Sequence, residues 1–213
     1  MLGVAASLLV AAVADVYMNC SGVKLCGVLT LETGLSSQGH YRHPKPAVHG
    51  LWPQVGRFGS SACVRPSGST APPEQLAPCY NDSSSGTSHQ LNFERHEWVK
   101  HGMCAGAANA TDYFEQVCAL AASPLAVMSR TRESGKSAVE AFATDLTSSG
   151  YPVWSTDEVH SQVELSACAG TDGIWKLSEL DDMRHLCADT GDSAVGPHVT
   201  SDPGGAPPLQ YVH

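Results

Sequence analysis

The pattern of apolar and polar positions predicts a chain that mixes strands with helices. CGVLTLETG, residues 26–34, is largely apolar with interspersed polar residues, which predicts an early strand that ends at a glycine turn. VELSAC (163–168) and GIWKLSEL (173–180) alternate on either side of AGTDG, which predicts a β-hairpin. Because strands and helices do not alternate regularly, the pattern is typical of an α+β fold with a single domain.

Capping signals divide the middle of the chain into helices. NFERHEWVKHGMCAG (92–106) predicts a helix with Gly102 as its stop, and Thr111 is expected to cap a helix from Asp112 to about Ala122. Further helix starts are expected at three places: Ser123-Pro124, SAVE (137–140) and STDE (155–158). Residues 34–90 are rich in Gly, Pro and Ser and predict a long loop.

The two ends of the chain differ from its middle. Leu2 to Val13 is apolar, and Ala12-Val13-Ala14 has the form of a cleavage site, so residues 1–14 are expected to be a secretory signal peptide. The run is too short to span a bilayer, and no membrane association is expected. Residues 15–190 are expected to form the domain, and 191–213 a Gly/Pro-rich tail. The expected location is outside the cell, or a lysosome or vacuole.

Cysteines and sequons agree with that location. The chain has eight cysteines, and an even number in a secreted protein indicates a disulfide framework, although 105 connectivities are open. Three N-x-S/T sequons, at Asn19, Asn81 and Asn109, are expected glycosylation sites.

The formal net charge of −9 argues against a conventional nucleic-acid binder. The charge is unevenly distributed, however. Residues 40–104 contain six Lys or Arg, four Asp or Glu, and six of the ten histidines. Charging all ten histidines would change the net charge from −9 to +1, so an acidic compartment would favour binding to a polyanion.

HEWVKH (96–101) places four chemically active residues within six positions. A zinc-protease motif needs histidines four apart, whereas His96 and His101 are five apart and separated by roughly 140° on a helix. We therefore expect no metal here. Helical spacing brings Glu97 near His101 and His96 near Lys100, with Trp98 and Val99 facing a core. This cationic surface with one acid suits a phosphate diester, although a solvated helix face is the simpler alternative.

VHGLWPQ (48–54) lies about fifty residues earlier in the chain. Alone it is a weak functional signal, but its combination with the HEWVKH segment is specific. Together, H-G-L-W-P and H-E-W-x-K-H-G resemble the two active-site motifs of the ribonuclease T2 family, which are secreted acid endoribonucleases. A weaker resemblance extends over roughly residues 25–187. It implies a central antiparallel sheet flanked by helices and stapled by disulfides. It also implies a monomer that cleaves single-stranded RNA without a cofactor and leaves DNA intact.

The resemblance assigns roles by position. His49 corresponds to the general acid, His101 to the general base, and His96 to a phosphate-binding histidine. Glu97 and Lys100 correspond to a pair that polarises and stabilises the phosphate. Two further positions, Trp52 and Phe93, correspond to aromatic residues of the base sites.

The family also implies disulfides between Cys63 and Cys104 and between Cys168 and Cys187. The four cysteines left over are paired as Cys20–Cys26 and Cys79–Cys118.

Two positions depart from the family pattern. Gln54 stands where some members carry an acid that reads the base, which leaves the base preference open. Glu32 stands where many members have Trp, and we expect this to affect packing near the N-terminus rather than chemistry. A secreted recognition or effector protein that does not depend on RNA cleavage is the alternative function.

Overall fold

The computed structural model describes residues 17–18, 25–53, 63–81, 86–170 and 172–184. Six strands form one sheet with the order β1-β6-β5-β2-β3, and β4 pairs with β5 beside this path. The strands are β1 (Tyr17–Met18), β2 (Leu25–Glu32), β3 (Ala47–Pro53), β4 (Val153–Asp157), β5 (Gln162–Ala169) and β6 (Trp175–Ser178). All pairs are antiparallel except the short β1–β6 pair. The expected α+β fold with a central antiparallel sheet is confirmed.

Three helices and a short helical turn accompany the sheet. They are α1 (Thr87–Lys100), α2 (Ala110–Glu133), α3 (Val139–Ser148) and the turn α4 (Leu180–Asp182). Three short 3-10 helices span Gly39–Tyr41, Pro78–Tyr80 and Gly102–Cys104. None of these described helices is both long and apolar enough to cross a membrane.

Strand β2 lies inside the sheet between β5 and β3, and all eight of its residues are buried. Its alternate residues Leu25, Leu29 and Leu31 belong to the main apolar core, together with residues of α2 and α3. Cys26 and Val28, which point the other way, belong to a smaller cluster against which Trp52 packs. Glu32 has the same parity as this second set, so the sheet directs it away from the main core.

Local signals misplaced several boundaries. The region 34–90, expected to be a loop, contains β3. The helix expected to restart at Ser123-Pro124 is instead one helix, α2, which runs through Pro124 because buried residues on both sides, such as Ala121 and Val127, hold it against the core.

The helix expected at STDE is wrong: residues 155–157 form the end of β4, since pairing with β5 outweighs the local capping signal. The helix expected at SAVE is confirmed as α3, although its N-cap is Ala138 rather than Ser137. The expected β5–β6 hairpin and the early strand β2 are confirmed.

Disulfides join the region before α1 to the residues that follow that helix. Cys63 is bonded to Cys104 and Cys79 to Cys118, which are the expected pairs. Cys26 and Cys168 are disulfide-bonded too, but their expected partners Cys20 and Cys187 lie outside the described residues. The same holds for the expected signal peptide, the C-terminal tail, Gln54 and Asn19.

Candidate active site

A bulge in β3 presents the first histidine. Thr30 pairs with Gly50 and Leu31 with Val48, so His49 is the extra residue between two pairs. Val48 and Leu51 can therefore both enter the main core although they are three residues apart. His49 is directed away from that core, beside Trp52.

Helix α1 supplies the second set of side chains. Glu97 is buried, Phe93 is half-buried, and both lie on the side of α1 that meets β3. His101 caps the C-terminus of the helix, and its backbone N–H donates to the carbonyl of Glu97. Gly102 follows because a Cβ there would collide with the buried ring of Trp98.

The two histidines that the sequence singled out meet at one indole. The ring centroids of His49 and Trp52 are 5.1 Å apart and meet edge to face. On the other side, Trp52 stacks on His101 with centroids 5.2 Å apart. Phe93 contacts His49 at 5.1 Å, and Tyr41 stacks near it at 5.9 Å. The fold therefore brings both motifs into one cluster of rings.

Glu97 connects the two motifs. Its Oε2 accepts a 2.9 Å hydrogen bond from Trp52 Nε1, and its Oε1 lies 3.5 Å from His49 Nε2. These contacts direct the carboxylate across to β3, and the expected influence of Glu97 on His101 is electrostatic.

Glu32 is the site residue that sequence reasoning missed. Its Oε1 lies 2.5 Å from His49 Nδ1, and its Oε2 lies 2.5 Å from His43 Nε2. The expected effect on packing alone is therefore wrong. One signal was available: an acid inside an otherwise apolar strand needs a buried partner, although the strand pattern cannot say which.

The surroundings give the two imidazoles different charges. Burial opposes charge on His49, but hydrogen bonds to Glu32 and Glu97 outweigh it and raise its pKa to about 9. Burial lowers the pKa of His101 to about 4, against the opposing charge of Glu97. Near neutral pH His49 is thus a cation and His101 is neutral. The pKa values of Glu32 and Glu97 are lowered, because their histidine contacts outweigh burial.

The remaining predicted residues lie around this cluster. His96 and Lys100 are exposed on α1, and electrostatic repulsion from them and from His49 contributes to the low pKa of His101. Val99, expected to face the core, is 62% exposed, whereas Trp98 is fully buried. Within the described ranges, no group of three or more His, Cys, Asp or Glu side chains could hold a metal ion.

The expected glycosylation sites differ in their surroundings. Asn81 is exposed. Asn109 is half-buried and caps α2, where its Oδ1 accepts a hydrogen bond from the Asp112 backbone.

Comparison with known proteins agrees with this geometry. The sequence profile of the Ribonuclease T2 family matches residues 25–133, slightly more than half of the 213 residues. A protein named "Ribonuclease" from Aeromonas hydrophila is 39% identical over 59 residues. That alignment covers 28% of this chain and 24% of the relative, so the chain spans about a quarter of the length of the relative it matches. With both motifs meeting at Trp52 and the profile covering β2, β3, α1 and α2, the chain belongs to the ribonuclease T2 family.

Proposed function

We propose that the protein is a secreted endoribonuclease that cleaves single-stranded RNA by metal-independent transesterification. The observation that carries this proposal is the placement of two imidazoles, one cationic and one neutral, against the same indole. Two titratable groups whose surroundings separate their pKa values are suited to act as an acid and a base. The family membership gives the reaction class.

In the proposed reaction, neutral His101 removes the proton of the ribose 2′-hydroxyl. The resulting oxyanion attacks the adjacent phosphorus, and the bond from phosphorus to the 5′-oxygen breaks. Cationic His49 gives its proton to the departing 5′-oxygen, leaving a 2′,3′-cyclic phosphate. Water then opens the cyclic ester to a 3′-phosphate, with His49 as the base and His101 as the acid. DNA lacks the 2′-hydroxyl and is not cleaved.

The charged residues on α1 have supporting roles in this scheme. Lys100 and His96 are exposed beside His101, where positive charge stabilises the negative phosphorane-like transition state. Glu97 is buried between the motifs and stabilises the protonated form of His49. It thereby keeps the proposed acid charged until the leaving group forms.

The aromatic residues are proposed to receive the bases. Trp52 and Phe93 are both half-buried and contact His49, so a stacked base would lie beside the reacting phosphate. Gln54, the next position after the first motif, is proposed as a further base contact.

The test uses mixed-base RNA, excess chelator and pH values from 4.5 to 7. We expect cleavage by the wild-type protein, cyclic-phosphate ends, and loss of cleavage in His49→Phe and His101→Phe. His89→Phe, on the exposed first turn of α1, is the matched control and should retain activity. Full activity in either of the first two variants, or dependence on a metal, would refute the scheme.

A further inference from the structure

Glu32 contacts two histidines from a buried position, where an ionised carboxylate is energetically unfavourable. It is the last residue of β2, only 4% exposed, and burial of an unpaired carboxylate would destabilise the fold. Its two oxygens are divided between His49 Nδ1 and His43 Nε2, at 2.5 Å each. An ionised carboxylate only accepts hydrogen bonds, so each ring nitrogen is the donor.

The surrounding elements hold this carboxylate in place. Gln162 is the partner of Glu32 across β2 and β5, and its Nε2 donates to Oε1 at 3.5 Å. The same nitrogen packs 3.0 Å from His49 Nδ1, whose proton is directed to Glu32. On the other side, the Arg132 guanidinium donates to the carbonyls of Thr33 and His43 at 2.9 Å each. Contacts from β5, from the loop after β2 and from α2 therefore hold Glu32 in place.

We propose that Glu32 is a positioning residue that holds His49 in its reactive orientation, with His43 as the outer member of a His43–Glu32–His49 relay. Donation from Nδ1 fixes the tautomer and aims Nε2 toward Glu97. The effect on catalysis rests on the proposed function, whereas the effect on the imidazole does not.

Other charged or titratable groups also face this relay. Glu97 and His101 approach from α1, and the Tyr80 hydroxyl donates to the His49 carbonyl. Tyr41 stacks on His49, and behind it His160 contacts Tyr41 and pairs with Asp157. Glu32 differs from all of these because its carboxylate contacts His49 Nδ1, whereas the Glu97 carboxylate lies near Nε2.

The test substitutes Glu32→Gln, which keeps the shape of the side chain but removes its charge. Glu115→Gln, an exposed change on α2, is the matched control. We expect the pKa of His49, followed by NMR of the labelled imidazole, to fall in Glu32→Gln only. We also expect kcat to fall about 10- to 100-fold with KM changed less than threefold, and the alkaline limb of the rate profile to move to lower pH. Glu32→Asp, which restores the charge, should recover part of kcat.

If Glu32→Gln does not fold, NMR spectra of the wild-type protein still test the proposal. At pH above the pKa of His49, the neutral ring should carry its proton on Nδ1. A neutral ring protonated on Nε2, or an unchanged His49 titration in a folded Glu32→Gln variant, would overturn the proposal. If the wild-type protein does not cleave RNA, the proposed function fails, but the titration and the tautomer still test Glu32.

Discussion

Gly50 and Glu97, one from each motif, are packed so closely that a methyl group on Gly50 would collide with Oε2 of Glu97. The glycine in H-G-L-W-P therefore makes room for the acid in H-E-W-x-K-H-G. The same carboxylate accepts from Trp52 and faces His49, so its position affects two other functional side chains.

Replacement of Gly50 by Ala should displace the Glu97 carboxylate from His49 and Trp52. We expect kcat/KM for RNA cleavage to fall about 10- to 100-fold, or about 1.4–2.7 kcal/mol in transition-state stabilisation. Steady-state kinetics on a short oligoribonucleotide measures this. Gly39→Ala, where an added Cβ has no neighbour within 4 Å, is the control and should leave the rate unchanged. Equal rates for the two variants would show that the packing is not functional.

The rate profile should report the two histidines. His101 must be neutral to accept a proton, so kcat/KM should rise as pH increases through about 4. His49 must be protonated to donate, so kcat/KM should fall as pH increases through about 9. Profiles measured at constant ionic strength check both limbs. A decline centred between pH 6 and 7 would mean that the two carboxylates do not keep His49 charged.

Trp52 should contribute more than a surface for a base, because its N–H donates to Glu97 while its ring stacks on His101. Trp52→Phe removes the hydrogen bond and keeps an aromatic ring. Without this hydrogen bond the Glu97 carboxylate loses a contact that holds it beside His49, so we expect kcat to fall about tenfold or more with little change in KM. Trp154→Phe, in the same small apolar cluster, is the control. A change confined to KM would indicate base binding alone.

Local patterns in the sequence predicted some elements of the fold and missed others. The helix that carries His96 to His101 follows from local spacing, and so does the β5–β6 hairpin, because both depend on neighbouring residues. Strand β3 could not be predicted in the same way. Its identity depends on pairing with β2, and the bulge at His49 breaks the alternation that would reveal a strand.

Contacts between distant residues could not be read from the sequence. Helical spacing predicted the influence of Glu97 on His101, but not the contacts of its carboxylate with Trp52 and His49 on β3. Glu32 is 17 positions from His49 and comes close to it only because β2 and β3 pair. Neither contact produces a periodic pattern in the sequence, so each could be found only from the tertiary structure.

Glu94 should make stability depend on pH away from the catalytic cluster. Its side chain is fully buried on α1, and Oε1 accepts a 2.7 Å hydrogen bond from the Ala77 backbone. Burial raises the pKa of Glu94 to about 7, so the folded state binds its proton more tightly than the unfolded state does. Stability should therefore fall as pH rises from about 4.5 to 7, by up to about 3 kcal/mol from this group.

Glu94→Gln keeps an oxygen for the Ala77 N–H and removes the ionisation. Urea unfolding of the oxidised protein between pH 4.5 and 7.5 should show that this variant gains stability relative to wild type as pH rises. Glu140→Gln, exposed in the first turn of α3, should follow the wild-type curve. If the difference between Glu94→Gln and wild type were constant across this range, the carboxyl group would have the same protonation in the folded and unfolded states. The contact between Glu94 and the Ala77 backbone would then owe its stability to packing rather than to a protonated acid.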